Sequence, residues 1–182
     1  MVRNRRFFYV VLSLLLACFF LSGCAVRGPQ TGDVKEDFLT VYGTYNYEGR
    51  YEVFRENLEN ASEDTTRKKL TAAMDEYYAC LRDYVSEDLY QNMCADRAIY
   101  KYEEYADENG YSYRTDGFEF TEYAKNGDET TYSFVAHLIL TDADGLEERG
   151  TVQGQITVQE KDRGACVANF YLSSIGFVPD KA

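Results

Sequence analysis

Tryptophan is absent from this chain, proline occurs twice and histidine once, and acidic residues outnumber basic ones. The single histidine, His137, and the absence of any Cys-x-x-Cys pair argue against a zinc centre. The formal net charge of −12 repels phosphate groups, which argues against direct nucleic-acid binding. No Gly-rich phosphate loop and no Gly-x-Ser-x-Gly motif is present, so the sequence indicates no reaction class. We therefore predict no enzyme activity, no metal and no cofactor.

The N-terminus has the features of a targeting segment. Arg3, Arg5 and Arg6 precede an almost wholly apolar run at residues 7–20. A charged start, a short apolar run and small residues behind it are typical of a secretory signal peptide. The run is also shorter than the about 20 residues that span a bilayer. An uncleaved anchor over residues 7–24 is the alternative, and either interpretation leaves residues 25–182 outside the cytoplasm.

The apolar run ends at Leu21-Ser22-Gly23-Cys24. These four residues resemble the bacterial lipoprotein signal, and residues 15–18 are a weaker upstream copy. The resemblance implies that residues 1–23 are removed and that the Cys24 thiol carries a diacylglyceryl group. Two acyl chains hold a protein on a membrane, whereas a single chain binds reversibly. We expect a lipid-anchored protein on the extracytoplasmic side of the cell membrane, with residues 24–32 as lipidated cysteine and tether.

Three cysteines remain after this processing, namely Cys80, Cys94 and Cys166. An odd number of thiols outside the cytoplasm allows at most one bridge and leaves one thiol free. Cys80 and Cys94 are the nearest pair in sequence, and the sequence leaves open whether they form a disulfide.

Helical periodicity covers residues 33–110. Asp33 is placed to cap the first helix, and the pattern breaks at Asn46–Gly49. Ser86 is placed to cap a later helix that bends near Ala95–Arg97, and Gly110 ends the last one. Acidic residues of these helices are predicted to form solvated faces: Asp75, Glu76, Asp83, Glu87, Asp88, Glu103, Glu104, Asp107 and Glu108.

After Gly110 the apolar period changes from 3.6 to 2, which predicts strands at about 111–124, 129–141, 147–160 and 165–178. The second strand places Tyr132, Phe134, Ala136, Leu138 and Leu140 on one face and Ser133, Val135, His137 and Ile139 on the other. The fourth strand is apolar on both faces, so we expect it inside the sheet. The sequence predicts one α+β domain at residues 33–178, with helices packed on a curved four-stranded antiparallel meander, and a tail at 179–182.

The layout resembles the nuclear transport factor two-like, or cystatin-like, cone fold. The resemblance is carried by the element order and by FLTVYGTYNYEGRYEVFRENL at 38–58 and MCADRAIYKYEEYA at 93–106. Some extracytoplasmic members of that family are scaffold subunits of conjugative DNA-transfer machines, and others are small lipoproteins without an assigned role. The resemblance implies a scaffold role for this chain.

Residues of the predicted cone offer three weaker interpretations. His137 could act as a general base oriented by Asp116 or a tyrosine if its strand face lines the cone, and the alternative is a hydrogen-bonded or solvent-facing strand histidine. Tyr42 and Tyr45 belong to a tyrosine cluster that either rims a hydrophobic pocket or a protein contact, or packs the first helix on the sheet. Residues 142–148 hold acids beside a glycine, but they lack the spacing of a calcium loop and indicate a hairpin turn.

Taken together, the sequence predicts a membrane-anchored lipoprotein that acts as a non-catalytic scaffold or protein-binding module. The assembly it serves would be an envelope or conjugative-transfer assembly. A binder of small ligands in the cone pocket is the alternative, and an enzyme centred on His137 is a third hypothesis.

Overall fold

A computed structural model describes residues 32–59, 67–96, 98–161 and 164–176. The predicted signal peptide, Cys24, the predicted tether before Gly32 and the predicted tail at 179–182 lie outside these residues. The described residues form five α-helices followed by four β-strands, which confirms the predicted α+β class. The helices are α1 (Val34–Tyr42), α2 (Arg50–Glu59), α3 (Arg67–Tyr78), α4 (Glu87–Asp96) and α5 (Ala98–Asn109). The strands are β1 (Tyr111–Asn126), β2 (Glu129–Asp142), β3 (Glu147–Lys161) and β4 (Gly164–Gly176).

The helix limits follow local signals that the sequence carries. The Asp33 side chain accepts a hydrogen bond from the backbone N–H of Lys35, so the predicted cap is confirmed. Asn46 adopts a left-handed conformation with φ of 50°, which breaks the chain between α1 and α2. Its side-chain oxygen then accepts from the backbone N–H of Tyr51 at 2.9 Å, inside the first turn of α2.

The later helix limits are also confirmed. The Ser86 hydroxyl accepts from the backbone N–H of Leu89 at 3.3 Å at the start of α4. The bend predicted near Ala95–Arg97 is the division between α4 and α5. Gly110 has φ of +72°, a conformation that glycine adopts without strain, and it ends α5.

The sheet is an antiparallel meander in the order β1-β2-β3-β4. Phe134, Ala136 and Leu138 of β2 are buried and face the helices, as the alternation predicts. We call the face that carries them the inner sheet face and the opposite one the outer sheet face. The strand β1 contains a bulge, because Thr115 lies opposite Leu138 while Gly117 lies opposite His137. The residue between them, Asp116, therefore has no residue opposite it in the register of β2.

The position expected for β4 was wrong. The sequence placed it inside the sheet, but it is the edge strand of the described sheet. Val167 of β4 is fully buried because the chain between α3 and α4 covers this edge locally. Val85 forms a parallel bridge with Val167, and the backbone N–H of Ser86 donates to the Val167 carbonyl at 2.8 Å. A residue such as Val167 is therefore apolar because another segment covers the edge of β4, and not because β4 lies between two strands.

Candidate functional site

The helix layer encloses a cluster of charged and polar side chains, which we call the buried cluster: Arg50 of α2, Glu103 of α5 and Tyr77 of α3. The Arg50 side chain is 5% exposed and the Glu103 side chain 0%. Arg50 Nε and Nη2 donate to Glu103 Oε1 at 3.0 and 2.8 Å. The Tyr77 hydroxyl donates to Glu103 Oε2. Each carboxylate oxygen therefore has a partner, which a buried charge requires.

The buried cluster also holds the break between α1 and α2. Arg50 Nη1 donates to the Val41 carbonyl at 3.1 Å, and Nη2 donates to the Thr44 carbonyl at 3.2 Å. The backbone N–H of Asn46 donates to Glu103 Oε1 at 2.8 Å. One ion pair thereby fixes the end of α1, the irregular turn after it and the start of α2 against α5.

The protonation states of the cluster are strongly biased. Burial, the largest single effect, lowers the pKa of the Arg50 guanidinium, but Glu103, Tyr77 and Cys80 together raise it, so the net pKa lies above its ordinary value. Burial, followed by the neighbouring Glu103 charge, raises the pKa of the Tyr77 hydroxyl. Arg50 therefore stays charged and Tyr77 stays neutral at physiological pH. A cluster with fixed protonation and satisfied donors suits a structural role better than proton transfer.

Sequence reasoning missed the buried cluster, because Glu103 was assigned to a solvated acidic face. The signal that points to burial is its spacing from two apolar residues. Ile99 and Ala106 lie four residues before and three residues after Glu103, and they are 1% and 0% exposed. These separations place all three on one helix face, so Glu103 shares the core-facing stripe of α5.

The cone interior, between α1 and the inner sheet face, is nearly filled. Its cavity measures about 40 Å³ and is lined by side chains that include Tyr42, Tyr113 and Phe134. The Tyr42 ring packs against Phe170 of β4 at 4.7 Å between centroids. Pockets for small ligands are usually about 300–1,000 Å³, so this space fits water and not an organic ligand.

A larger concavity, which we call the α4–β4 groove, lies beside the edge strand. Its volume is about 620 Å³. Phe170, Tyr171 and Leu172 are consecutive in β4 and all line it. Successive side chains of a strand point to opposite faces of the sheet, so a groove on one face would contact only every second residue. A groove that contacts three consecutive residues must therefore run along the edge of the strand. The other lining residues are Tyr42, Tyr78, Leu89, Asn92, Met93, Ala95, Asp96, Ile99 and Tyr102.

The four candidate pocket residues do not meet in one pocket. His137 lies on the outer sheet face, where its Nε2 is 3.0 Å from Glu119 Oε1, and the two side chains are 39% and 71% exposed. Asp116 is paired instead with Arg149, whose Nη1 lies 2.9 Å from Asp116 Oδ2. The bulge at Asp116 is the physical reason, because it removes this residue from direct register with His137.

Tyr42 and Tyr45 lie on the helix side of the sheet but in different surroundings. Tyr42 lines both the cone interior and the α4–β4 groove. The Tyr45 ring packs on Tyr113 at 5.8 Å, and its hydroxyl donates to Asp107 Oδ1 at 3.4 Å. Burial and the Asp107 carboxylate raise the pKa of Tyr45 to about 12. Tyr45 thus packs on the sheet, whereas Tyr42 both packs on β4 and borders the groove.

The three described cysteines are free, so the disulfide between Cys80 and Cys94 that the sequence left open is not formed. The two thiols have different neighbours. The Cys80 sulfur accepts from Arg50 Nη1 at 3.6 Å, whereas Cys94 lies on α4 near Tyr90. Burial raises the pKa of the Cys80 thiol, partly offset by Arg50.

The acidic loop between β2 and β3 is a turn. Asp142 Oδ1 accepts from the backbone N–H of Asp144 at 3.0 Å and of Leu146 at 2.9 Å. Its carboxylate thus stabilises the hairpin itself, and Gly145 follows with φ of +81°.

Within the described residues, no group of three or more His, Cys, Asp or Glu side chains is placed to hold a metal ion. Nor does any helix in these ranges have the length and hydropathy needed to cross a membrane.

Comparison with solved structures gives remote likenesses at low sequence identity. CagV, a VirB8 homologue of the T4SS from Helicobacter pylori strain 26695, aligns with a TM-score of 0.44 at 11% identity, over 76% of this chain and 92% of that one. The putative transfer protein TraH of the Gram-positive conjugative plasmid pIP501 aligns with a TM-score of 0.38 at 11% identity, over 64% and 100%.

A further likeness is the intermembrane-space region of the chloroplast protein ARC6, with a TM-score of 0.34 at 11% identity, over 58% of this chain and 86% of that one. No protein-family model matches the chain. No curated protein matches it in sequence.

Proposed function

We propose that this chain is a non-catalytic protein-binding scaffold, held at the outer face of the cell membrane by a lipid on Cys24. The observation that carries the proposal is the contrast between the cone interior and the α4–β4 groove. The cone interior has only about 40 Å³ of free space, because the protein's own side chains nearly fill it. The α4–β4 groove, at about 620 Å³, is open and mostly apolar.

The buried cluster supports this interpretation, because it fixes the helices that border the groove. Glu103 belongs to α5, whose residues Ile99 and Tyr102 line the groove. Arg50 ties α5 to the end of α1, where Tyr42 lines the groove from the other side. A binding surface on rigid elements loses little conformational entropy when a partner docks, which favours recognition.

The binding role can be tested by placing a photo-crosslinking amino acid in the full chain in its native membrane. Asn92 is the test position, because it is exposed and lines the groove, and Glu52 of α2 is the matched exposed control. We expect one discrete protein adduct from position 92, identified by mass spectrometry, and none from position 52. Equal adducts from both positions, or none from either, would count against a scaffold that binds through this groove.

The lipid anchor has a separate test. Cys24→Ala removes the thiol that would carry the diacylglyceryl group, so we expect the chain to leave the washed membrane fraction and to lose labelled fatty acid. A Cys24→Ala chain that stays in the membrane would show that the apolar run at residues 7–20 is an uncleaved anchor. In both outcomes the groove test remains valid, because the two measurements concern different parts of the chain.

The assembly that the scaffold serves is part of the same proposal, namely an envelope or conjugative-transfer assembly. Deletion of the chain from its native host is expected to lower the frequency of plasmid transfer if the assembly is a transfer machine. Unchanged transfer, together with a groove adduct to an envelope protein, would assign the scaffold to a different envelope assembly.

A further inference from the structure

We propose that the α4–β4 groove takes an extended segment of a partner protein, which pairs with the edge of β4 and carries apolar and basic side chains. The inference rests on the proposed scaffold function and specifies the chemistry of the partner. Its first support is the geometry of the edge. Phe170, Tyr171 and Leu172 line the groove together, so the occupant lies against the strand backbone and not only against one face.

The chain's own fold already uses the neighbouring part of this edge for strand pairing. Val85 bridges Val167 in parallel, and Ser86 donates its backbone N–H to the Val167 carbonyl. After Ser86 the chain turns into α4 and leaves the edge. Among described residues, the backbone bonds that β4 makes outside the sheet stop at Val167. An added strand would continue this pairing past Val167, which is a common mode of peptide recognition.

The walls of the groove select apolar side chains. Leu89, Met93 and Ile99 are buried residues of α4 and α5 that line it. Phe170 and Leu172 complete the wall from the inner sheet face, and both are partly buried against the core. An occupant with apolar residues at alternate positions would place them against this wall while its other side chains face solvent.

The electrostatics select a basic partner. Asp96 is exposed and is the one charged side chain among the described groove residues. The chain as a whole has a net charge of −12, which attracts cations over a longer range. An acidic segment would be repelled at each of these levels.

The test uses two synthetic probes and the full chain in detergent. Each probe is an extended peptide of about seven residues, a usual strand length, with Val and Leu at alternate positions. The basic probe carries Lys at the other positions, and the acidic probe carries Glu there. We expect fluorescence anisotropy to show that the basic probe binds at least about tenfold more tightly, since like charges at an interface cost free energy.

Two variants on α4 test the location. Ala95→Arg puts bulk and positive charge into the groove from an exposed position, so we expect at least about tenfold weaker binding of the basic probe. Gln91→Arg adds the same charge on the same helix at an exposed position outside the groove and should change binding less than about twofold. Circular dichroism checks that both variants remain folded.

Backbone pairing is tested by methylating one peptide nitrogen of the basic probe at a time. A strand exposes alternate N–H groups to each neighbour, so methylation should abolish binding at alternate positions only. Tolerance of methylation at every position would overturn the strand-addition inference. Equal binding of the two probes, or an unaffected Ala95→Arg variant, would overturn the location or the chemistry.

These outcomes are separable from failure of the proposed function. A partner adduct at position 92 without binding of either probe would keep the scaffold role and reject the extended basic segment. An adduct at position 92 with the mass of two copies of this chain would show that a second copy occupies the groove, which also rejects the inference.

Discussion

Two of the arginine–carboxylate pairs, Arg50–Glu103 and Arg149–Asp116, use the same chemistry in different surroundings. In the buried cluster the side chains are 5% and 0% exposed, and the carboxylate has further partners on α3 and in the turn before α2. On the outer sheet face Arg149 is 78% exposed and Asp116 31%. The nitrogen–oxygen distances are nearly equal, at 2.8 and 2.9 Å.

Distance alone therefore says little about what each pair contributes. The exposed pair exchanges freely with water and salt, so breaking it costs little. The buried pair has no access to water, so removing one member leaves an uncompensated charge in the core. The contrast teaches that the structural centre of this domain is the polar cluster beneath the helices, whereas the outer sheet face tolerates change.

The largest effect is expected for Glu103→Gln, which keeps the size of the side chain but removes its charge. Arg50 would remain buried without a counter-ion, at a cost of about 3–5 kcal/mol in the free energy of unfolding. Urea denaturation followed by circular dichroism measures the loss. The matched control is Glu108→Gln, an exposed change on the same helix, and equal unfolding midpoints for the two variants would contradict the assignment.

A smaller loss is expected for Tyr77→Phe, which removes one hydroxyl donor from Glu103 and keeps the ring. Hydrogen bonds to charged groups contribute about 1.5–3 kcal/mol, so the free energy of unfolding should fall by that amount. Tyr100→Phe is the control, because its hydroxyl donates to Glu104 at 2.8 Å at a partly exposed position. The same urea assay should show a clearly smaller loss there, and the reverse order would be evidence against the buried cluster.

Alkaline pH tests two tyrosines that are less buried than the Arg50–Glu103 pair and less exposed than the Arg149–Asp116 pair. Tyr45 and Tyr111 have pKa values raised by burial from 10.0 to about 12. The unfolded chain therefore loses these protons at lower pH than the folded chain. The stability that these two tyrosines contribute should be constant below about pH 10 and should decrease as pH rises towards 12. Tyrosinate absorbance combined with circular dichroism measures this, and Tyr45→Phe should make the decrease shallower.

The smallest effect is expected for Asp116→Asn on the outer sheet face. Exposed ion pairs contribute about 0–1 kcal/mol, so the unfolding midpoint should hardly move. Raising the salt concentration should reduce even this difference, because screening weakens exposed pairs first. A loss as large as that of Glu103→Gln would show that burial is not what separates the two pairs.

Much of the fold was readable because its signals are local. The Asp33 and Ser86 caps depend on residues within a single helical turn. The alternation along β2 assigns Phe134 to the core and His137 to the opposite face without any tertiary information. The glycine-containing loops between strands likewise fix the order of a meander.

The remaining features depend on contacts between distant segments. Glu103 looks like a surface residue until Arg50 and Tyr77 are placed around it, although its spacing from Ile99 gave a hint. The edge position of β4 was hidden because Val85 covers Val167 from a segment about 80 residues earlier in the chain. The bulge at Asp116 moved a candidate partner out of register with His137, and β-bulges of this kind have no dependable sequence signature.

The hydrogen bonds of Arg50 to the Val41 and Thr44 carbonyls have a mechanical consequence. Tension applied to the chain ahead of Gly32 reaches α1 before any other described element. That helix is fastened at its far end to α5 through Arg50 and Glu103, so the load passes into the middle of the domain. Because Phe38 and Tyr42 of α1 also pack on Phe170 of β4, a pull from that side would be shared between the sheet and the guanidinium.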